Sequence, residues 1–176
     1  MKIFSTVLLT ITGLCIILAV LIWSGVYNLS ALKPHQAPIA WVIEKARDRS
    51  ITLHSKDIPV SLLRDDPRLI AEGLEHYHSM CRWCHGAPGF KQSEFALGLY
   101  PGPPPLSSGD VQARRDPELF WIVKNGLKMT GMPAFGPTHT DEQLWGTVAL
   151  VRRLPKLPAK EYKSLVQAAG LEKHVH

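Results

Sequence analysis

The chain has 176 residues, 45% of them hydrophobic and 20% charged, which accommodates one ordinary domain with additions and excludes a second large catalytic domain. The first 32 residues carry one charged side chain, Lys2, and the remainder carries 19 Lys and Arg against 15 Asp and Glu. This mildly basic balance lacks the dense basic stripe of a nucleic-acid-binding protein, so no nucleic-acid partner is expected. Three cysteines, only two of them closely spaced, exclude a disulfide framework.

The N-terminal segment predicts a single transmembrane helix. The run 3–26 has no charged side chain and would be about 36 Å long as a helix, enough to span a bilayer core of about 30 Å. A cleaved secretory signal has a shorter apolar region of about 7–15 residues, so the length favours a retained anchor. Trp23 and Tyr27 mark the far interface and Lys2 marks the near one. We therefore expect an anchor over residues 1–32 with its N-terminus inside.

The rest of the chain predicts a small all-α domain. Residues 33–64 hold three prolines and a short amphipathic stretch, and they indicate a juxtamembrane connector with room for one helix. Apolar residues recur at helical spacing in three later segments, and no strand pattern of useful length accompanies them. Helices are expected over 67–80, 116–124 and 142–154. These helices would form one domain over residues 65–155, followed by a C-terminal tail over 156–176.

The motif that carries the chemistry is C-x-x-C-H, formed by Cys81, Cys84 and His85, which is the signature of c-type haem attachment. Two thiols one helical turn apart reach the two vinyl groups along one side of a porphyrin and form thioethers. The adjacent imidazole then becomes the proximal ligand of the iron. A large apolar macrocycle would also give three short helices and the proline-rich loop 86–109 a common core. The motif therefore predicts one covalently attached haem c with its iron.

Three other uses of the cysteine pair fit the sequence less well. A structural zinc site needs four ligands, and the next histidine after His85 is His139, far outside finger spacing. A thioredoxin-like dithiol belongs beside a βαβ unit, which the helical pattern lacks. A plain disulfide between Cys81 and Cys84 is geometrically possible outside the cytoplasm but leaves the domain with a poor core.

The sixth iron ligand is expected downstream of the motif. Met132 lies between Gly131, which permits unusual dihedral angles, and Pro133, which makes the chain rigid, so its thioether can be held at a fixed distance from the iron. Met129 is interpreted as a core residue, although spacing alone does not forbid it as the ligand. Ligation by His85 and Met132 leaves no open position on the iron. Electron transfer is then expected, with no small-molecule substrate.

These motifs resemble those of the class I mono-haem cytochromes c, of the kind found in cytochrome subunits of respiratory oxidases and dehydrogenases. The resemblance covers roughly residues 65–154. Besides the haem motif it rests on Gly73 and Tyr77 in the preceding helix, on the later Gly-Met-Pro-Ala-Phe segment and on Trp145 in the last helix. It implies a helical domain wrapped around one covalent haem, in which the first and last helices cross with Gly73 and Tyr77 against Trp145 and Val148.

The resemblance also implies a proline carbonyl that accepts the second N–H of the proximal imidazole. The Pro-x-Leu pattern at 104–106 assigns this acceptor to Pro104 and places Leu106 at the haem. An apolar pocket around the haem is expected from Leu106, Trp121, Phe135 and Trp145. A basic rim that would attract an acidic partner is expected from Arg82, Lys91, Lys124 and Lys128.

The sequence thus predicts a membrane-anchored cytochrome c of a respiratory chain rather than an enzyme in its own right. Its haem domain would face the periplasm at the cytoplasmic membrane and carry single electrons between redox protein partners, a donor complex and an acceptor such as a terminal oxidase. Two alternatives stay open: a five-coordinate haem enzyme or gas sensor of peroxidase-like type, and a fixed cytochrome subunit of an oxidase or dehydrogenase complex.

Overall fold

The computed structural model describes residues 2–60 and 66–171, and these residues form a helical fold. In chain order the elements are α1 (Lys2–Ser24), α2 (Ala37–Ser55), α3 (Pro67–His76), a π-helical turn (Tyr77–Cys81), α4 (Arg82–His85), α5 (Glu94–Leu97), α6 (Gly109–Gln112), α7 (Asp116–Asn125), α8 (Asp141–Arg153), a 3₁₀ turn (Leu154–Lys156) and α9 (Ala159–Ala168). No strand occurs within the two described ranges, where a two-residue bridge between Ala87 and Phe90 closes a turn. The predicted all-α fold class is confirmed.

The chain divides into two compact units, Met1–Lys33 and Pro34–His176. The first unit is built on α1, a helix without a buried residue and with a mean hydropathy of 2.6 over its most apolar window. Its length and composition meet the requirements of a membrane-spanning helix.

In the second unit one continuous helical run leads to the C-x-x-C-H motif. It begins at Pro67, which suits a first helical position because it lacks an N–H, and the Asp66 carboxylate caps it by accepting from the Arg68 backbone N–H at 2.8 Å. The run passes from α3 through the π-helical turn into α4 and ends at His85, five residues beyond the predicted end at Met80. The haem motif is therefore itself helical.

The helical run that contains α3 crosses α8 at a contact between two glycines. A Cβ added to Gly73 would collide with the backbone carbonyl of Gly146, and one added to Gly146 would lie 2.5 Å from the carbonyl oxygen of Leu69. Only glycine lets the two backbones approach this closely. The expected crossing of the first and last helices is thus present, and Gly146 is the residue of α8 that meets Gly73.

The two later helices begin and end close to the residues that the sequence predicts. The α8 helix starts with a capping box, in which Thr140 Oγ1 accepts from Gln143 N at 3.3 Å and Gln143 Oε1 accepts from Thr140 N at 2.9 Å. The α7 helix ends at Gly126, whose φ of 66° is in the region that favours glycine.

Most of the segment predicted as a connector is a helix packed on the domain. Ile51 of α2 is buried, Thr52 Oγ1 donates to Glu118 Oε1 at 2.9 Å, and Arg114 donates to Asp48 Oδ1 at 2.8 Å. This helix is therefore part of the second unit. Residues 61–64 of the predicted connector lie outside the described residues.

The segment predicted as a tail, 156–176, contains α9, which is also packed against the core. Tyr162 and Val166 are buried, and Tyr162 Oη lies 3.2 Å from His78 Nδ1. This helix covers the face of the domain beside His78. Residues 172–176 lie outside the described residues.

Candidate functional site

The C-x-x-C-H motif is held at the end of its helix by a glycine. Gly86 follows His85 with φ 71° and ψ −178°, a conformation that other residues rarely adopt, and its N–H donates to the carbonyl of Arg82 at 2.8 Å. The buried hydroxyl of Tyr77 donates to the carbonyl of Gly86 at 2.7 Å. Burial holds the pKa of Tyr77 above its ordinary value, so this hydroxyl stays a neutral donor. The turn after His85 is thereby fixed to the helix before Cys81.

Two polar side chains connect the motif to the loop that follows it. Gln92 Nε2 donates to the carbonyl of Cys84 at 2.6 Å and to that of Pro103 at 2.8 Å. Ser93 donates to the Trp83 carbonyl through its backbone N–H at 2.8 Å and through its hydroxyl at 2.7 Å. The bonds to Cys84 and Trp83 satisfy carbonyls that the helix end would otherwise leave unpaired, and the bond to Pro103 ties that end to the loop.

The structure brings His85 and Pro104 together. His85 Nδ1 lies 2.7 Å from the Pro104 carbonyl oxygen, and because a carbonyl can only accept, the imidazole carries its proton on Nδ1. Burial lowers the pKa of His85, an effect that the bond to Pro104 partly opposes. A neutral ring protonated at Nδ1 has its lone pair on Nε2, which is the form that binds a metal.

A cavity of about 600 Å³ lies beside this imidazole. His85, Tyr77 and Leu106 line it together with the proline-rich loop and the 3₁₀ turn after α8. Its volume is in the range of pockets that hold organic cofactors. Leu106 is thus brought to the same cavity as His85.

The two motif cysteines are partly buried and are not joined to each other by a disulfide. Burial, with a smaller contribution from Cys84, raises the pKa of Cys81 to about 12, and burial also raises the pKa of Cys84. Two unpaired cysteines one helical turn apart, followed directly by an imidazole with a free Nε2, form a donor set that fits thioether attachment of a haem.

Met132 lies on a separate loop that is tied to the end of α7. Its carbonyl accepts from the Leu127 N–H at 3.1 Å, and its own N–H donates to Thr130 Oγ1 at 3.1 Å. A Cβ added to Gly126 would lie 2.8 Å from the Met132 carbonyl oxygen, so the loop backbone is pressed against the helix end. Met132 is partly buried, whereas Met129 is 77% exposed with φ 59°. The interpretation of Met129 as a core residue is therefore wrong.

The three aromatic residues expected around the haem, Trp121, Trp145 and Phe135, each lie against a different neighbouring ring. Trp121 lies against His54 of α2, with ring centroids 5.8 Å apart, and Trp145 stacks on Phe120 at 4.4 Å. Phe135 packs against the core and meets the edge of His139 at 5.6 Å.

Only two of the four residues expected in the basic rim, Lys91 and Lys128, are exposed and without an ion pair among the described residues. Arg82 is buried, and its guanidinium carbon lies 3.9 Å from the ring centroid of Trp83. Lys124 pairs with Asp141 at 2.6 Å.

Residues 68–151 match the family model described as cytochrome c oxidase, cbb3-type, subunit III. The chain contains a class I mono-haem cytochrome c domain. Covalently bound haem c with its iron is the cofactor of such a cytochrome c domain, and electron transfer is its chemistry. No curated protein matches the chain.

The sequence does not predict the role of several residues that stabilise the cytochrome c domain. The side-chain amides of Gln92 and Gln112 bond to backbone carbonyls: Gln112 Nε2, for example, donates to the carbonyls of Leu106 and Val151 at 2.7 and 3.0 Å. Gly146 acts by having no side chain where α8 meets α3. The π-helical turn that ends at Cys81 also leaves no mark in the apolar pattern. The role of Gly86 could have been predicted from the sequence, because a glycine directly after a helical segment commonly marks the end of the helix.

Proposed function

We propose that the protein is a membrane-anchored electron carrier whose haem iron is ligated by His85 and Met132, and whose haem domain faces the periplasm at the cytoplasmic membrane. The hydrogen bond of 2.7 Å between His85 Nδ1 and the Pro104 carbonyl carries this proposal, because it orients a neutral imidazole with Nε2 available to iron. Between a donor complex and an acceptor such as a terminal oxidase, the chain would pass one electron at a time.

Haem c, when bound, supplies one-electron exchange at its iron. Cys81 and Cys84 would hold it through thioethers, and the Pro104 carbonyl would strengthen donation from His85 by accepting its Nδ1–H. The loop that is pressed on Gly126 would hold the Met132 thioether at a fixed position. If His85 and Met132 both bind the iron, no site would be left for oxygen or peroxide, which would separate a carrier from a peroxidase or a gas sensor.

The near-infrared spectrum of the ferric protein tests this ligand set. A methionine-to-iron band is expected in the wild type and in Met129→Ala, and the band is expected to disappear in Met132→Ala. Met129→Ala is the matched control because it removes an exposed thioether from the same loop. A band that survives Met132→Ala and disappears in Met129→Ala would contradict the assignment of Met132.

The description of the matching family favours a second candidate function, that of a fixed cytochrome subunit within an oxidase. Electron transfer by the haem domain would be the same, but the partner would be permanent. Purification of the full chain from its native membrane in mild detergent separates the two. A carrier is expected to elute without a stoichiometric partner, whereas a subunit would elute as a stable complex.

A further inference from the structure

The outward side of α2 combines apolar and basic side chains. Trp41, Val42 and Leu53 are 61%, 56% and 48% exposed, and Lys45 and Arg49 are exposed between them. Residues 42, 45, 49 and 53 follow the spacing of one helix face, with Trp41 at its margin. We name these five residues the basic-apolar face of α2.

The basic-apolar face contains two cations and no carboxylate, although Glu44 is exposed beside Lys45 on the same helix. Asp48 accepts from Arg114 at 2.8 Å and from Arg47 at 3.1 Å, on the side of α2 that packs against the domain. Within residues 2–60 and 66–171, neither Lys45 nor Arg49 has a carboxylate at ion-pair distance. The cations of the face are therefore available to an external anion.

The chain reaches α2 directly from its apolar helix. Twelve residues, 25–36, separate the end of α1 from the start of α2, and they span at most about 40 Å when fully extended. Leu29 and Leu32 within this segment are exposed. If α1 spans a bilayer, the start of α2 therefore stays within about 40 Å of the lipid surface, and the basic-apolar face can reach that surface.

We propose that the basic-apolar face of α2 lies on the surface of a bilayer that contains anionic lipid. Lys45 and Arg49 bind the lipid phosphates, while Trp41, Val42 and Leu53 enter the headgroup layer, where amphipathic side chains are favoured. This inference rests on the proposed anchoring by α1. Because α2 is also packed on α7, the contact would hold the haem domain in one orientation at the membrane instead of leaving it on a free tether.

A nitroxide label on the face tests the proposal in the haem-loaded full chain. Cys15→Ser removes the cysteine outside the haem motif, and the label is attached to Val42→Cys or, as control, to Ser164→Cys on the exposed side of α9. The protein is reconstituted in vesicles of phosphatidylcholine alone or with about 30% phosphatidylglycerol, an anionic lipid. The readout is the collision rate of the nitroxide with lipid-soluble oxygen, relative to that with a water-soluble nickel chelate.

We expect a higher oxygen-to-nickel ratio at position 42 than at position 164, and a further rise with phosphatidylglycerol. Lys45→Gln combined with Arg49→Gln should lower the ratio of surface-bound to free α2 on the order of thirtyfold in the anionic vesicles, since each cation near such a surface contributes about fivefold. The label at position 164 should respond to neither change.

Equal ratios at positions 42 and 164 in both vesicles would overturn the proposal. A second result would also overturn it: the label at position 42 is immobilised in both kinds of vesicle and becomes mobile when the protein is diluted into excess vesicles. That result indicates that a second copy or another protein covers the face. Failure of the chain to sediment with vesicles would instead refute the anchoring by α1. The near-infrared band reports the haem ligands independently of either result.

Discussion

Replacing Gly73 by alanine is expected to destabilise the haem domain, because this glycine sits where two helix backbones touch. The added Cβ would lie 2.9 Å from the backbone nitrogen of Thr147 and closer still to the carbonyl of Gly146. Neither obstacle is the flexible end of a side chain, so α3 and α8 would have to separate.

The magnitude follows from two opposing terms. Forcing extra volume into a rigid contact costs up to about 3 kcal/mol, and the better helix propensity of alanine returns about 1 kcal/mol. The net loss is about 2 kcal/mol. Gly109→Ala is the matched control, since a Cβ there has nothing within 4 Å, and reduced freedom of the unfolded chain should stabilise it by about 0.5 kcal/mol.

The assay is urea unfolding of the haem-loaded full chain in detergent, followed by haem absorbance. A loss of about 2 kcal/mol should lower the midpoint of Gly73→Ala by about 1 M urea, while Gly109→Ala stays at or slightly above the wild type. An unchanged or raised midpoint for Gly73→Ala would refute the close backbone contact between α3 and α8.

Two further predictions concern the packing around the site. Tyr77→Phe removes the buried bond to the Gly86 carbonyl and should cost about 1–2 kcal/mol in the same unfolding assay while the near-infrared band persists; an unchanged midpoint would show that this bond adds nothing. Burial alone would raise the pKa of Glu118, but bonds from the Arg115 backbone and Thr52, with the Arg115 charge, hold it below its ordinary value. A group with a lowered folded pKa contributes stability above its unfolded pKa of about 4.5, and this stability is lost as pH falls through the folded pKa. The stability of the domain should therefore decline below about pH 4.5 by less in Glu118→Gln than in the wild type, and identical pH profiles would contradict this role.

Three helices of the cytochrome c domain, α3, α7 and α8, could be predicted because their signals are local. Thr140 and Gln143 form a capping box within four residues, and Gly126 ends α7 directly after its last turn. The haem motif is equally local, since its spacing alone places two thiols and an imidazole on one helix end.

The sequence could not show that α2 and α9, which flank the matched region, pack on the domain, because polar contacts between residues far apart in sequence hold them there. Thr52 and Glu118 are 66 residues apart in sequence, and His78 and Tyr162 are 84 apart. The surroundings of Trp121 could not be foreseen for the same reason: its ring lies against His54, on a helix that the sequence indicates only as a connector.

Exposure of the reduced full-length protein to carbon monoxide tests the central claim most directly. If His85 and Met132 both ligate the iron, the absorption spectrum should not change on mixing, because no coordination position is open. Rapid formation of a carbon monoxide adduct by the wild type would contradict the account and would favour a five-coordinate haem enzyme or gas sensor.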